Sequence, residues 1–139
     1  MILRNSFITA FIIIFTVSCG QPDQEWNSYG LDLSNQRFSR ITQINKTNVE
    51  TLEMAWQVQT GVRATFQSTP IVHKGIMYVS LPFNNVIALD AKTGNEIWKF
   101  DHGQDVGPGW WGVNRGLIYW DDSSDGRIIY TSGSYIYAV

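Results

Sequence analysis

A chain of 139 residues accommodates one domain of ordinary size, and its 44% hydrophobic, 14% aromatic and 16% charged content excludes intrinsic disorder. The aromatic share, with twelve glycines against four prolines, points to sheet packing and many tight turns rather than to a helical bundle. A formal net charge of −2, with no basic stripe able to displace counterions from phosphates, argues against nucleic acid as a partner.

The first informative segment is the N-terminus. Residues 1–5 carry one positive charge, at Arg4, residues 7–17 form an apolar run, and Ser18 precedes Cys19. The run is too short to span a bilayer and has the form of a signal-peptide core. A lone cysteine directly after it resembles the lipobox of bacterial lipoproteins, in which that cysteine becomes the new terminus and is acylated, although Thr16 and Val17 depart from the residues the box prefers. An ordinary secretory peptide is the alternative, and export follows from either. The reading is therefore a signal peptide over 1–18, a polar tether over 19–25, and an exported, periplasmic protein held to the membrane through Cys19. The chain has one cysteine, so no internal disulfide is expected.

Residues 26–45 read as an irregular lead-in. Thr47-Asn48-Val49-Glu50 has the form of a capping box, which predicts one or two helical turns running towards Leu52 and Met54. Short β-type runs then follow at 54–58, 70–73, 76–80, 86–90, 96–100, 116–120, 128–132 and 135–139. Lys74-Gly75 is a two-residue hairpin signal. Asp90-Ala91-Lys92-Thr93-Gly94 offers an Asx-turn acceptor at Asp90 and a residue free to take positive φ at Gly94.

The chain also repeats itself. Leu52-Glu53-Met54-Ala55-Trp56 returns in outline as Gly94-Asn95-Glu96-Ile97-Trp98, with the tryptophans 42 residues apart. Gly75-Ile76-Met77-Tyr78-Val79-Ser80 returns as Gly126-Arg127-Ile128-Ile129-Tyr130-Thr131, in a register that agrees only roughly. A period in the forties to low fifties, built of four short strands, is what one blade of a β-propeller requires, so the fold class is all-β. Residue 139 falls inside such a repeat, and only one to two blades are expected in this chain, as the start of a longer protein.

Several ordered segments carry a family resemblance. Trp26-Asn27-Ser28-Tyr29-Gly30, Asn35-Gln36-Arg37-Phe38-Ser39, Ile44-Asn45-Lys46-Thr47-Asn48-Val49 and Ala55-Trp56 come first. Thr69-Pro70-Ile71-Val72, Gly75-Ile76-Met77-Tyr78-Val79 and the string from Ala88 to Trp98 follow. The most discriminating element is Val113-Asn114-Arg115-Gly116-Leu117-Ile118-Tyr119-Trp120. In order and spacing these resemble the opening of the dehydrogenases that use pyrroloquinoline quinone (PQQ) within an eight-bladed propeller.

The resemblance implies an enzyme that oxidises an alcohol, polyol or sugar and passes electrons to a cytochrome c or a quinone, with PQQ and Ca²⁺ as cofactors. It places Arg115 in the cofactor pocket, where a planar guanidinium suits the three carboxylates and ortho-quinone of PQQ. The alternative for Arg115 is a surface arginine paired with Asp121 or Asp122. Gln67, in Phe66-Gln67-Ser68-Thr69-Pro70, is the second cofactor-binding candidate, able to donate and accept without adding negative charge. Its alternative is an ordinary polar residue at a strand start. No catalytic residue and no metal ligand is assigned in this chain, since the base and the metal site belong to later blades. Many alcohol-oxidising members carry adjacent cysteines where this chain has Gly107-Pro108-Gly109-Trp110-Trp111-Gly112, and their absence leans towards polyols or sugars. Neither His73 nor His102 has a second ligand at metal-binding spacing on its own strand.

The rival reading is a non-enzymatic propeller lipoprotein with PQQ-like repeats that serves as an assembly scaffold. It shares the leader and the Ala88-to-Trp98 string, but not Asn114-Arg115-Gly116. The leader yields a direct prediction: Cys19→Ser should release the protein from membranes in a fractionation experiment. Continued membrane association would argue against a lipid anchor.

Overall fold

A computed structural model describes residues 25–101 and 114–139. The expected leader, Cys19, His102 and the 107–112 stretch lie outside the described residues. Two antiparallel sheets are formed, as the repeat implies. The first holds β1 (Ile71–His73), β2 (Ile76–Ser80), β3 (Val86–Asp90) and β4 (Glu96–Phe100) in chain order, and the second holds β5 (Ile118–Asp121), β6 (Gly126–Ser132) and β7 (Tyr135–Ala138).

The turns follow from their residues. Lys74 (φ 48°) and Gly75 (φ 76°) both take positive φ, as a two-residue hairpin demands, and pair Ile71 with Tyr78 and His73 with Ile76. Asp90 Oδ1 accepts from the Lys92 amide at 3.0 Å, the Thr93 amide at 2.7 Å and the Thr93 hydroxyl at 2.8 Å, which closes the β3–β4 connection. Those donors, the Thr93 hydroxyl foremost, hold the Asp90 carboxyl below its ordinary range.

The second hairpin is wider. Asp122 Oδ1 accepts from the Ser124 hydroxyl and from the amides of Ser124 and Asp125, so four residues span β5 to β6 where two span β1 to β2. The wider turn and the longer arms of this hairpin together explain why the repeat agrees only roughly along the sequence. Across the pairing, Ile71 corresponds to Leu117 and Tyr78-Val79-Ser80 to Tyr130-Thr131-Ser132, and in both sheets the tyrosine and serine are buried.

The main core lies between the sheets. Ile71, Tyr78, Val86 and Ala88 of the first meet Leu117, Ile128 and Tyr130 at the second. Each fully buried aliphatic side chain there contributes about 1.5–3 kcal/mol. Burial beside Tyr137 pushes the Tyr130 phenol up to about 12, so it stays neutral throughout the physiological range. A smaller cluster, Leu81, Ile87 and Leu89, lies under Trp56 and Val58.

Three expectations change. The 47–50 segment gives a single 3-10 turn, Val49–Thr51, and no capping box forms. The Thr47 hydroxyl donates to Asn45 Oδ1 at 2.6 Å, and the Asn48 side chain accepts from the Asn45 amide at 2.8 Å, so the local polar groups satisfy one another. Residues 54–58 form no strand, and the segment is anchored instead by Trp56, whose indole N–H donates to the Ala91 carbonyl at 3.2 Å. Strands expected to begin at Pro70 and Gly116 begin later, because proline has no N–H for a ladder and the Gly116 amide is taken by Asn114 Oδ1.

Trp56 sits against the β3–β4 turn so closely that a Cβ on Gly94, at φ 75°, would lie 2.7 Å from the indole ring. Gly94→Ala therefore combines an unfavourable backbone conformation with a clash. It should destabilise the protein by roughly 2–4 kcal/mol, read as a lower melting temperature in thermal unfolding, and an unchanged melting temperature would contradict this packing.

Candidate functional site

Gln67 and Arg115 each stand a few residues ahead of the first strand of a sheet, β1 and β5 respectively, and these two strands are neighbours. The fold thus brings together two residues 48 positions apart: Arg115 Nε donates to Gln67 Oε1 at 3.1 Å. The backbone is tied in the same way, with the Thr69 amide donating to the Arg115 carbonyl at 3.3 Å. Both side chains are exposed.

The alternative pairing of Arg115 with Asp121 or Asp122 is not found. Asp121 lies 3.2 Å from Lys74 Nζ, and Asp122 is consumed by its own turn. The bond to Gln67 leaves the two terminal amino groups of the guanidinium without a partner among the described residues. It also occupies the Gln67 carbonyl oxygen, so what the pair presents outward is N–H. An exposed cation beside a carboxamide donor is chemically suited to an acceptor oxygen, whether of a carboxylate or of a carbonyl.

Asn114 holds this segment in place. Its Oδ1 accepts from the Gly116 amide at 2.9 Å, its Nδ2 donates to the Thr131 carbonyl at 2.7 Å, and its own carbonyl accepts from the buried Ser80 hydroxyl at 2.8 Å. The lead-in backs the same segment, with Tyr29 packed against Gly116, the Arg37 guanidinium 4.2 Å above the Tyr29 ring, and the Tyr119 amide donating to the Asn27 carbonyl at 3.2 Å.

A second polar cluster lies where the lead-in meets β1 and β5. Buried His73 stacks on Tyr119 with ring centroids 3.9 Å apart. Its Nδ1 is in ion-pair contact with Glu25, and its Nε2 lies 3.7 Å from Asp121 Oδ2, beyond hydrogen-bond range. Sequence spacing could not reveal this group, because its members come from three separate segments. Among the described residues no group of three or more His, Cys, Asp or Glu is arranged to hold a metal ion.

Residues 26–139 match a family model described as the glucose/ethanol/alcohol dehydrogenase β-propeller domain, of PQQ type. The quinohemoprotein alcohol dehydrogenase of Comamonas testosteroni is 39% identical over 114 residues, covering 76% of this chain and 16% of that protein. The lanthanide-dependent methanol dehydrogenase of Methylorubrum extorquens is 43% identical over 105 residues, covering 71% of this chain and 17% of that protein. Among solved structures, the Comamonas enzyme superposes with a TM-score of 0.70 at 35% identity, over 78% of this chain and 16% of that one. Quinohemoprotein alcohol dehydrogenase ADHIIG of Pseudomonas putida superposes with a TM-score of 0.74 at 33% identity, over 84% of this chain and 17% of that one. The chain therefore spans about one sixth of the length of the relatives it matches.

The junction generates a pH prediction. The Ser123 amide first, and Lys74 second, hold the Asp121 carboxyl below its ordinary value of 3.8. A lowered folded-state pKa stabilises above the unfolded value, and that contribution is lost as the pH falls through the lowered one. The urea-unfolding midpoint should drop on acidification below about pH 4, and Asp121→Asn should make that drop shallower; an unaltered acid limb would show that Asp121 does not couple folding to pH.

Proposed function

Because this chain belongs to the β-propeller family of PQQ-dependent glucose, ethanol and alcohol dehydrogenases, we propose that it forms the opening blades of a quinoprotein dehydrogenase that oxidises an alcohol, and that Arg115 and Gln67 form part of its cofactor pocket. The observation that carries this reading is the Arg115–Gln67 bond, which presents a cation and further N–H donors with no carboxylate paired to them among the described residues. That donor set fits PQQ, with its three carboxylates and ortho-quinone, better than it fits a neutral ligand. PQQ, when bound, supplies the two-electron acceptor for alcohol oxidation. The part of these residues is to bind and orient: the guanidinium neutralises acidic oxygen, and the glutamine amide adds a donor without adding charge.

Relatives named as alcohol and methanol dehydrogenases favour a simple alcohol as substrate. The sequence from Gly107 to Gly112, without adjacent cysteines, favours a polyol or sugar instead. A metal ion beside PQQ, Ca²⁺ in the first instance, would be held by residues outside this chain. Electrons would pass to a cytochrome c or a quinone, and the leader ending at Cys19 supports export with a lipid anchor facing the periplasm. Dye-linked activity of the holoenzyme across primary alcohols, glycerol and glucose would separate the substrate classes.

The decisive experiment is a PQQ titration of the apo-protein, followed by quenching of tryptophan fluorescence. Arg115→Ala should weaken PQQ binding at least tenfold, in line with the loss of a charge-assisted contact. An unchanged titration would remove Arg115 from the pocket.

A further inference from the structure

We propose that Ser80 and Asn114 are positioning residues for Arg115, forming a hydrogen-bonded latch across the two sheets that sets where its guanidinium stands. The inference rests on the reading of Arg115 as a cofactor contact. Arg115 itself is exposed and long, and an arginine on a free loop would lose much of its binding contribution to side-chain and backbone entropy. Its backbone, however, is tied on both sides. The residue before it is held at its carbonyl by Ser80 Oγ from the end of β2, and at its carboxamide by the Thr131 carbonyl from β6. The residue after it is held by Asn114 Oδ1, and the Arg115 carbonyl receives the Thr69 amide.

Ser80 is the informative member. A serine 2% exposed at the end of a strand in an apolar interface is costly unless its hydroxyl is used, and here it is used on the main chain of the residue next to Arg115. Asn114 is suited to the other half, since one carboxamide accepts from Gly116 and donates to Thr131 at once, which neither aspartate nor leucine of similar size can do. Together they join the first sheet to the second at the residue next to Arg115, so that the Arg115–Gln67 bond forms from a fixed base.

A double-mutant cycle on PQQ affinity in the apo-protein tests the latch. If Ser80 acts through Arg115, Ser80→Ala should weaken PQQ binding roughly three- to tenfold in the native background, and by less than about twofold in an Arg115→Ala background. An equal loss in both backgrounds would mean a general structural role and would overturn the proposal, as would no loss in the native one. Asn114→Ser retains a short acceptor for Gly116 but does not reach Thr131. It should reproduce the loss, and it keeps the test open if Ser80→Ala does not fold. A readout independent of PQQ is the crystal structure of apo Asn114→Ser, in which Arg115 Nε should move out of hydrogen-bond range of Gln67 Oε1; a bond retained at its present length overturns the latch. Should Arg115→Ala leave PQQ affinity intact, the pocket assignment fails, and the crystal structure alone then decides whether the latch positions the side chain.

Discussion

A sheet of three or four short strands cannot bury both of its faces by folding on itself, and in this protein each sheet supplies the cover that the other lacks. Ile71, which opens β1, and Leu117, which immediately precedes β5, occupy equivalent places, are both fully buried, and belong to one core. Everything described at the candidate site follows from that contact. Gln67 and Arg115 are far apart in the chain and become neighbours because the strands they precede must pack side by side. The apolar contact sets the distance between the sheets, and the polar groups at the strand ends then have one geometry available to them.

The polar groups sort into two kinds. Asp90, Asp122 and Asn45 spend their acceptor capacity within their own turns, shaping the connections between strands. Asn114, Ser80 and Arg115 reach across from one sheet to the other or to its approach. Asp121 and Asp122, the acidic residues nearest to Arg115 in the described sequence, belong to the first kind or are engaged by Lys74, so neither pairs with the guanidinium. On a chain that is acidic overall, the carboxylates of Asp90, Asp121 and Asp122 are engaged by their own turns or by Lys74, and none of the three pairs with Arg115.

Most of the strand plan was legible in the sequence, because alternation and turn chemistry are local: 76–80, 86–90 and 96–100 coincide with observed strands, and Lys74-Gly75 and Asp90 act as their residue types require. Errors arose where a residue had a competing partner, as at Thr47 with Asn45 or Gly116 with Asn114, or where a strand pattern at 54–58 met no ladder partner among the described residues. Gln67 and Arg115 are candidates through resemblance to a family motif, and neither alternation nor spacing carries a sign of their direct bond. The part of Ser80 was also hidden, although the recurrence of Tyr-x-Ser at Tyr78 and Tyr130 is visible once the wider Asp122 turn is allowed for. The cluster of Glu25, His73 and Asp121 had no signature at all, because tertiary packing alone assembles it.

Trp26 exchanges a pair of backbone hydrogen bonds with Val72, at 2.9 and 2.7 Å, along the side of β1 that faces away from β2. Strand edges of this kind are templates on which another chain can add itself, and the shortness of β1 and its bridge to Trp26 both limit that exposure. The lead-in precedes β1 in the chain, so a growing polypeptide already holds the capping residue when β1 emerges. The bridge to Trp26 thus occupies, within one chain, an edge on which a second chain could otherwise pair.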